Sequence, residues 1–334
     1  MTIKIGINGL GRIGRMIIRS LIESNNKKID IKHINSRSSA EIVASLLKYD
    51  SIHGKFNCKI KHGDNYININ DKKITFSQHS NLNEIKWKNL GVDYVLECTG
   101  KFNSKDKLIP HIKNGAKKVI VSAPCKDSDK TIVYGVNHKS ISKNDSVISA
   151  ASCTTNCLAP VVYVLNKEFK IEKGFMTTIH SYTSDQRLLD NSHKDLRRAR
   201  SAGQSMVPTS TGASKSIGEI IPELKGKLEG LAIRVPTPNV SLVDLVFNSK
   251  SNLSIKKINE SFKKASKKEL QNILETTDEK LVSTDFNHNP SSAIVDLSLT
   301  NVVGNNMGKV TAWYDNEWGF ASRMCDLVEY IHKI

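Results

Sequence analysis

Ile3-Lys4-Ile5-Gly6-Ile7-Asn8-Gly9-Leu10-Gly11-Arg12-Ile13-Gly14 opens the chain, and its reading decides the fold. Ile3, Ile5 and Ile7 alternate with Lys4, Gly6 and Asn8, the period of a strand. Met16, Ile17, Ile18, Leu21 and Ile22 then mark one face of a helix. Between them Gly9, Gly11 and Gly14 form a G-x-G-x-x-G turn. In that context the first glycine permits a tight turn and the second lets backbone approach a pyrophosphate. The third allows close helix–strand packing, and the helix N-terminus faces the phosphates. A glycine-rich turn also occurs as a plain connector. The strand before it and the helix after it point instead to dinucleotide binding.

Outward from this turn, strands and helices keep alternating. Ile29 to Ile34 reads as the second strand. A carboxylate at its end, about 20 residues past the fingerprint, usually holds a ribose 2′-hydroxyl. Asn35-Ser36-Arg37-Ser38 stands there instead, and Asp30 is at the wrong end to serve. Without the carboxylate a 2′-phosphate is not repelled, and Arg37 is placed to pair with it; the alternative is that Arg37 points to solvent. Val92 to Cys98 and Lys118 to Ser122 read as further strands, with a helix from Ser104 to Asn114. Thr99, Gly100 and Ser122 then lie at the carboxyl edge of a parallel sheet, where cofactors bind. Lys55 to Ser77 reads as short, polar antiparallel strands inserted into this unit, which ends near Ala150.

The length, 334 residues, suits two domains. The sequence holds no apolar run of membrane-spanning length and no basic n-region with an apolar core at its start, so a cytoplasmic location is expected. Six scattered cysteines fit a reducing compartment, and the Cys153–Cys157 spacing lacks a second pair, so no metal is expected. A net charge of +16 has two readings. One is a polyanion partner such as nucleic acid or an acidic membrane. The other is solvated Lys-rich surface that also attracts small phosphorylated ligands. No basic block is interleaved with aromatics as a stacking platform requires, so the second is preferred.

The second half carries the reactive residues. Cys153 sits in Ala151-Ser152-Cys153-Thr154-Thr155-Asn156-Cys157, just ahead of an apolar helical run to Lys167 that Pro160 is expected to bend. A thiol at a helix N-terminus meets unpaired N–H groups and a positive dipole end, and both are expected to favour the thiolate. His180 follows on a predicted strand, Gly174 to Thr183, far enough on for a helix, a turn and a returning strand to bring imidazole to thiol. Cys157, one helical turn past Cys153, is expected to be a buried structural thiol, because a helix holds such a pair too rigidly for an easy disulfide.

Five segments resemble the phosphorylating glyceraldehyde-3-phosphate dehydrogenase family. They are Gly6 to Arg15, Ala151 to Pro160, His193 to Arg200, Arg234 to Ser241, and Trp313-Tyr314-Asp315-Asn316-Glu317. The third and fourth are similar to its bacterial and chloroplast branch. The resemblance implies an α/β chain: a Rossmann-type dinucleotide domain over 1–150, an α+β catalytic domain with a mostly antiparallel sheet over 151–316, and a C-terminal helix, 317–334, packed on the first domain. It implies that Cys153 attacks the aldehyde, that His180 is its base, and that inorganic phosphate releases 1,3-bisphosphoglycerate from a cysteine thioester. Ser152, Thr154, Thr211 and Gly212 match the inorganic-phosphate positions, and Thr183 and Arg234 those for the substrate's phosphate. Asn316 matches the residue that orients the nicotinamide; Asn8, Gly9, Gly11, Arg12, Ile13 and Gly14 match the pyrophosphate turn.

Departures from the family pattern bear on the cofactor. NAD-specific members carry Asp where Ser36 stands, and Asn191-Ser192 is similar to the chloroplast NADP-using branch, whose serine reaches the adenosine 2′-phosphate bound to a neighbouring subunit. Efficient use of NADP, alongside NAD, is therefore expected. Phe320 replaces a usual tyrosine. A homotetramer follows from the resemblance, with the loop from about Ser184 to Met206 at a subunit interface. The rival activities are erythrose-4-phosphate dehydrogenase, which releases a free acid, and a nucleic-acid-binding role in the cofactor groove.

Overall fold

The computed structural model describes residues 2–334, and these form two compact units. Among the described residues, the first comprises 2–132, 138–152 and 321–334, and the second 133–137 and 153–320.

The first unit is built on a nine-stranded sheet. Its parallel part runs Lys130–Thr131, Val147–Ser149, Lys118–Val121, Tyr94–Glu97, Ile3–Asn8, Ile29–Asn35, Lys72–Ser77. The central four, Val147–Ser149, Lys118–Val121, Tyr94–Glu97 and Ile3–Asn8, are rich in Val and Ile and buried on nearly every residue, as parallel strands covered on both faces should be. Gly6 leaves room for the ring of Trp87, which a Cβ there would meet at 2.4 Å. Trp87 anchors a core with Val95, Leu108, Val119 and Val147. The predicted insertion needs one correction. Ile60–Gly63 and Tyr66–Ile69 are antiparallel, but Lys72–Ser77 pairs parallel with Ile29–Asn35, so the segment extends the main sheet. His33 causes this, because its ring bonds Thr75 and Ser77 across the two strands at 2.8 Å each.

Helix Arg12–Glu23 follows the glycine turn, and Met16, Ile17, Ile18 and Leu21 are its buried face. The end of the last helix, Trp318–Lys333, belongs to this unit from Ala321 onward. Its Glu329 accepts hydrogen bonds from Asn26 at 2.8 Å and Lys28 at 2.9 Å.

The second unit carries a sheet in the order Val207–Ser210, Leu228–Val235, Ile171–Ser181, Ser241–Ser249, Met307–Tyr314, Ala293–Asp296, Leu274–Thr277. Two of its neighbouring pairs are parallel and the others antiparallel, the mostly antiparallel sheet expected. The strand Ala293–Asp296 is short, because the Asp296 side chain accepts from Ser298 N and turns the chain into a 3-10 segment. Helix Cys153–Phe169 lies on this sheet beside helices Ala213–Ile220 and Ile255–Ser266. It continues through Pro160 without a break.

Candidate active site

The chain enters the reactive helix through a strained turn. Ala151 has φ +59°, a conformation that costs an L-residue energy and persists where surroundings hold it. Ser149 holds it: its hydroxyl accepts from Ala151 N at 3.1 Å and donates to Ala123 O at 2.8 Å. Cys153 is then the first residue of the helix, with its sulfur 3.5 Å from His180 Nε2. The strand Ile171–Ser181 returns His180 to the thiol as expected.

The electrostatics correct one expectation. Burial pushes the Cys153 thiol above its ordinary value, although the Arg234 charge and hydrogen bonds from Thr154 oppose this. The helix terminus helps the thiolate but does not outweigh desolvation. His180 is 3% exposed; burial first, and then the Arg234 charge, lower its pKa to about 3. Burial thus disfavours charge on both members of the pair. Cys157 is fully buried and shifted well above the ordinary thiol value by burial.

Arg234 reaches this pair through sheet register. It lies on the parallel neighbouring strand directly opposite His180. Its Nη1 is 2.7 Å from His180 Nδ1 and donates to Ser181 O at 2.9 Å. Tyr314 supports the same cluster, and its hydroxyl sits 2.9 Å from the hydroxyls of both Thr154 and Thr178. Burial raises its pKa far above the usual phenol value. The amide oxygen of Asn316 accepts from Ser241 at 2.9 Å, and the neighbouring Asp315 caps the last helix through Glu317 N and Trp318 N. Val240 carries φ +64°, rare for a β-branched residue, and its carbonyl accepts from Ser181 Oγ at 2.8 Å. Strain is thus stored on both sides of the thiol–imidazole pair in sequence.

Thr211 and Gly212 form the entry to helix Ala213–Ile220, where Thr211 Oγ1 accepts from Ala213 N at 3.2 Å. The N-cap Gly212 has no side chain to cap this helix, and a helix N-terminus is suited to an anion. Thr183 opens the loop after the His180 strand, bonded to Gln186. Thr154 is buried beneath the thiol, whereas Ser152 is half-buried ahead of it.

The first unit holds a groove of about 390 Å³. Asn8, Gly9, Gly11, Ser36, Arg37 and Thr99 line it; Arg12, Ile13, Gly14, Gly100 and Ser122 do not. The glycine turn fits a pyrophosphate. Gly9 has φ +97°, and a Cβ there would meet Thr99 N at 2.6 Å. A Cβ on Gly14 would meet Gly9 O at 2.2 Å, whereas one on Gly11 would meet nothing within 4 Å. Gly11 caps helix Arg12–Glu23 without a side-chain bond, leaving its first N–H groups toward that space. Arg12 turns its guanidinium onto Asp50 at 2.5 and 3.1 Å. Burial pushes Asp50 up, but Arg12 and the N–H groups of Ile52 and His53 outweigh it and hold the carboxyl far below its usual range.

Several supporting residues escaped the sequence reading. Glu97 is 1% exposed, and it accepts from Asn8 at 2.6 Å, His111 at 3.1 Å and Thr99 N at 2.8 Å. It fixes the strand ends that line the groove. Trp87 donates to His111 Nδ1 at 2.8 Å, which leaves the His111 proton on Nε2 for Glu97. His79 lines the groove beside Arg37, with its ring 2.9 Å from Glu84. A buried Glu at a strand end was the only signal for the first set; Tyr314 was visible only as part of a motif. Ser192 belongs to the second unit, on an exposed loop where it bonds Asn191.

Comparison with known proteins adds an independent line. The family described as "Glyceraldehyde 3-phosphate dehydrogenase, NAD binding domain" matches residues 3–105, and "Glyceraldehyde 3-phosphate dehydrogenase, C-terminal domain" matches 152–316. The chain is 50% identical to the glyceraldehyde-3-phosphate dehydrogenase of Cereibacter sphaeroides over 98% of its length and 97% of that protein. It is 49% identical to glyceraldehyde-3-phosphate dehydrogenase 2 of Bacillus subtilis (strain 168), covering 99% and 97%. It is 50% identical to that of Xanthobacter flavus over the whole of both chains.

Proposed function

The chain belongs to the glyceraldehyde-3-phosphate dehydrogenase family, and from that premise we propose how its own residues run the reaction. It is an NAD(P)-dependent oxidoreductase acting on an aldehyde. The observation that carries the residue assignment is the Cys153 sulfur 3.5 Å from His180 Nε2. His180 takes the thiol proton, and the thiolate adds to the aldehyde carbon of glyceraldehyde 3-phosphate. The resulting hydroxyl gives its proton to the same imidazole as the carbonyl re-forms. A nicotinamide cofactor, held by the glycine turn and by Asn316, would supply the hydride acceptor that this oxidation needs. A thioester remains on Cys153; inorganic phosphate attacks it, the thiolate leaves, and 1,3-bisphosphoglycerate is formed.

Thr183 and Arg234 hold the substrate's phosphate in this reading, and Ser152, Thr154, Thr211 and Gly212 the attacking one. A guanidinium is suited to the first task because it binds phosphate in a fork. Asn8, Gly9, Gly11, Arg12, Ile13, Gly14, Thr99, Gly100 and Ser122 take the cofactor's pyrophosphate and sheet-edge contacts, and Asn316 orients the nicotinamide amide. Ser36, Arg37 and Ser192 make NADP a good cofactor beside NAD. Residues 1–150 form the cofactor domain, 151–316 the catalytic domain, and 317–334 the closing helix.

The working form in this reading is a homotetramer. Leu188, Leu189, Leu196 and Met206 are mostly exposed on the 184–206 loop, and Phe175 and Val246 are paired on an open sheet face, apolar surface that a partner would cover. No helix among the described residues is long and apolar enough to cross a membrane. The thiol has to stay reduced, which suits the cytoplasm. Steady-state turnover with NAD and NADP at varied phosphate tests these assignments. A strict need for phosphate supports phosphorolysis. Turnover that proceeds to a free acid without phosphate would favour erythrose-4-phosphate oxidation instead.

A further inference from the structure

An asparagine amide has two ends of opposite chemistry: Oδ1 accepts hydrogen bonds and Nδ2 donates them. Which end points outward decides what the residue can recognise. At Asn316 a buried hydroxyl makes that choice. Ser241 Oγ donates to Asn316 Oδ1 at 2.9 Å. Among the described residues Nδ2 has no such partner, and it is not one of the fully buried side-chain atoms left unpaired, so it is the open end.

Sheet register brings the hydroxyl to this place. Ser241 begins strand Ser241–Ser249, opposite Tyr314 at the end of Met307–Tyr314. On its other side Leu242 lies opposite Ile179, which sets Ser241 beside the end of strand Ile171–Ser181. Ser241 Oγ accepts from Ser181 N at 3.1 Å and lies 3.5 Å from Ser181 Oγ. Ser181 Oγ spends its one proton on Val240 O at 2.8 Å. The Ser241 proton therefore has two acceptors within reach. The contact at 2.9 Å is a good hydrogen bond and the one at 3.5 Å is not. Turning the amide over would make Ser241 Oγ accept twice and leave its proton only the long contact.

The backbone around Asn316 is already held. Asp315 accepts from Glu317 N, Trp318 N, His288 N and the Asn239 amide at 2.7 to 2.9 Å. Residues 239–241 thus act on 315–316 at two points, Asn239 on Asp315 and Ser241 on Asn316. Val240 between them has φ +64°, a conformation that persists where surroundings impose it. Ser241 is 1% exposed and Ser181 is fully buried, so these bonds are shielded from water.

We propose that Ser241 is a positioning residue for the nicotinamide: its hydroxyl locks the Asn316 amide with Oδ1 inward and Nδ2 outward, so that the site offers a donor and selects a cofactor by the carbonyl of its ring substituent rather than by the amino group. This rests on the reading of Asn316 as the residue that orients the nicotinamide amide. The same hydroxyl holds the N–H of Ser181, next to the base His180. One side chain therefore ties the residue that holds the cofactor ring to the strand that carries the base.

The test is calorimetric binding to the full-length protein with three probes. NAD is the first. ADP-ribose lacks the nicotinamide ring, and 3-acetylpyridine adenine dinucleotide keeps the carbonyl but has a methyl group for the amino group. Wild type should bind NAD and the acetylpyridine analogue within about twofold of each other, because both supply the acceptor that Nδ2 needs. An analogue about tenfold weaker would mean that Oδ1 faces the substituent, and would overturn the proposal without any variant. Ser241→Ala should weaken NAD by about threefold to tenfold and leave ADP-ribose unchanged. Equal weakening of both probes would mark a general structural defect and overturn it. Asn316→Ala should lose NAD affinity to a similar degree, and adding Ser241→Ala to it should cost nothing more; additive losses contradict action through Asn316. If Asn316→Ala binds NAD as wild type does, the reading of Asn316 fails and the proposal with it. A loss in Asn316→Ala without one in Ser241→Ala refutes the proposal alone.

Discussion

Cys153 and His180 lie 3.5 Å apart while burial opposes charge on either of them. What surrounds the pair therefore matters as much as the pair. Tyr314 is the clearest case, since its hydroxyl joins Thr154, next to the nucleophile, to Thr178, two residues before the base. Tyr314→Phe leaves two buried threonine hydroxyls without this partner. The expected cost is about 1–3 kcal/mol in urea unfolding. A loss below about 0.5 kcal/mol would mean that the threonines re-pair. In the first unit, Ser36 lines the groove together with Arg37. Ser36→Asp sets a carboxylate against a 2′-phosphate, and kcat/KM for NADP should fall at least about tenfold while that for NAD holds or rises, a tenfold change corresponding to about 1.4 kcal/mol. Unchanged NADP kinetics would place the 2′-phosphate elsewhere. Individual residues were legible in the sequence when a motif carried them, as with Cys153 and the three glycines. The roles of Tyr314, Glu97 and His111 were not, because they depend on partners 14 to 160 positions away.

At the scale of elements, the glycine turn separates two jobs that a sequence pattern treats as one. Gly14 packs against the turn itself, and Gly11 borders open space. Gly14→Ala should therefore lower the melting temperature and weaken cofactor binding together. Gly11→Ala should leave melting nearly unchanged and weaken binding only, because its new methyl group occupies the space for the pyrophosphate. Thermal melts and dinucleotide titration followed by protein fluorescence check both; equal melting of the two variants contradicts the assignment. The strands and helices were largely readable from their periodicity, because buried Ile and Val runs have few alternatives. Two departures from a simple periodic pattern share a cause. Lys72–Ser77 joins the parallel sheet through His33 bonds to Thr75 and Ser77, and the Ala293 strand ends where Asp296 caps the backbone. Both are side-chain decisions that hydrophobic pattern does not encode. The same holds for the thiol: a helix terminus is visible in sequence, but the burial that outweighs it is not.

For the whole molecule, buried neutral histidines set an acid limit. His33 is lowered to about 4 by burial, with a further push from His79, and His180 to about 3. The unfolded chain protonates these groups near pH 6.5, whereas the native state resists until the lowered values. Below pH 6.5 the unfolded state thus binds more protons, and stability falls as pH falls, by up to about 1.4 kcal/mol per pH unit for each group. Urea midpoints measured from pH 7.5 to 4.5 should decline, and His33→Gln should flatten the decline. A flat wild-type profile would show that these rings are not held neutral. The proposed homotetramer should scatter light as about four times the 37.1 kDa chain. The central claim concerns Cys153 as an acyl carrier, and one measurement reaches it most directly. The enzyme is mixed with oxidised cofactor and glyceraldehyde 3-phosphate in the absence of inorganic phosphate, quenched in acid, and analysed by intact and peptide mass spectrometry. The account expects one 3-phosphoglyceroyl group per chain, on the peptide containing Cys153, that disappears as 1,3-bisphosphoglycerate when inorganic phosphate is added. Turnover with no adduct, or an adduct that survives phosphate, would contradict it.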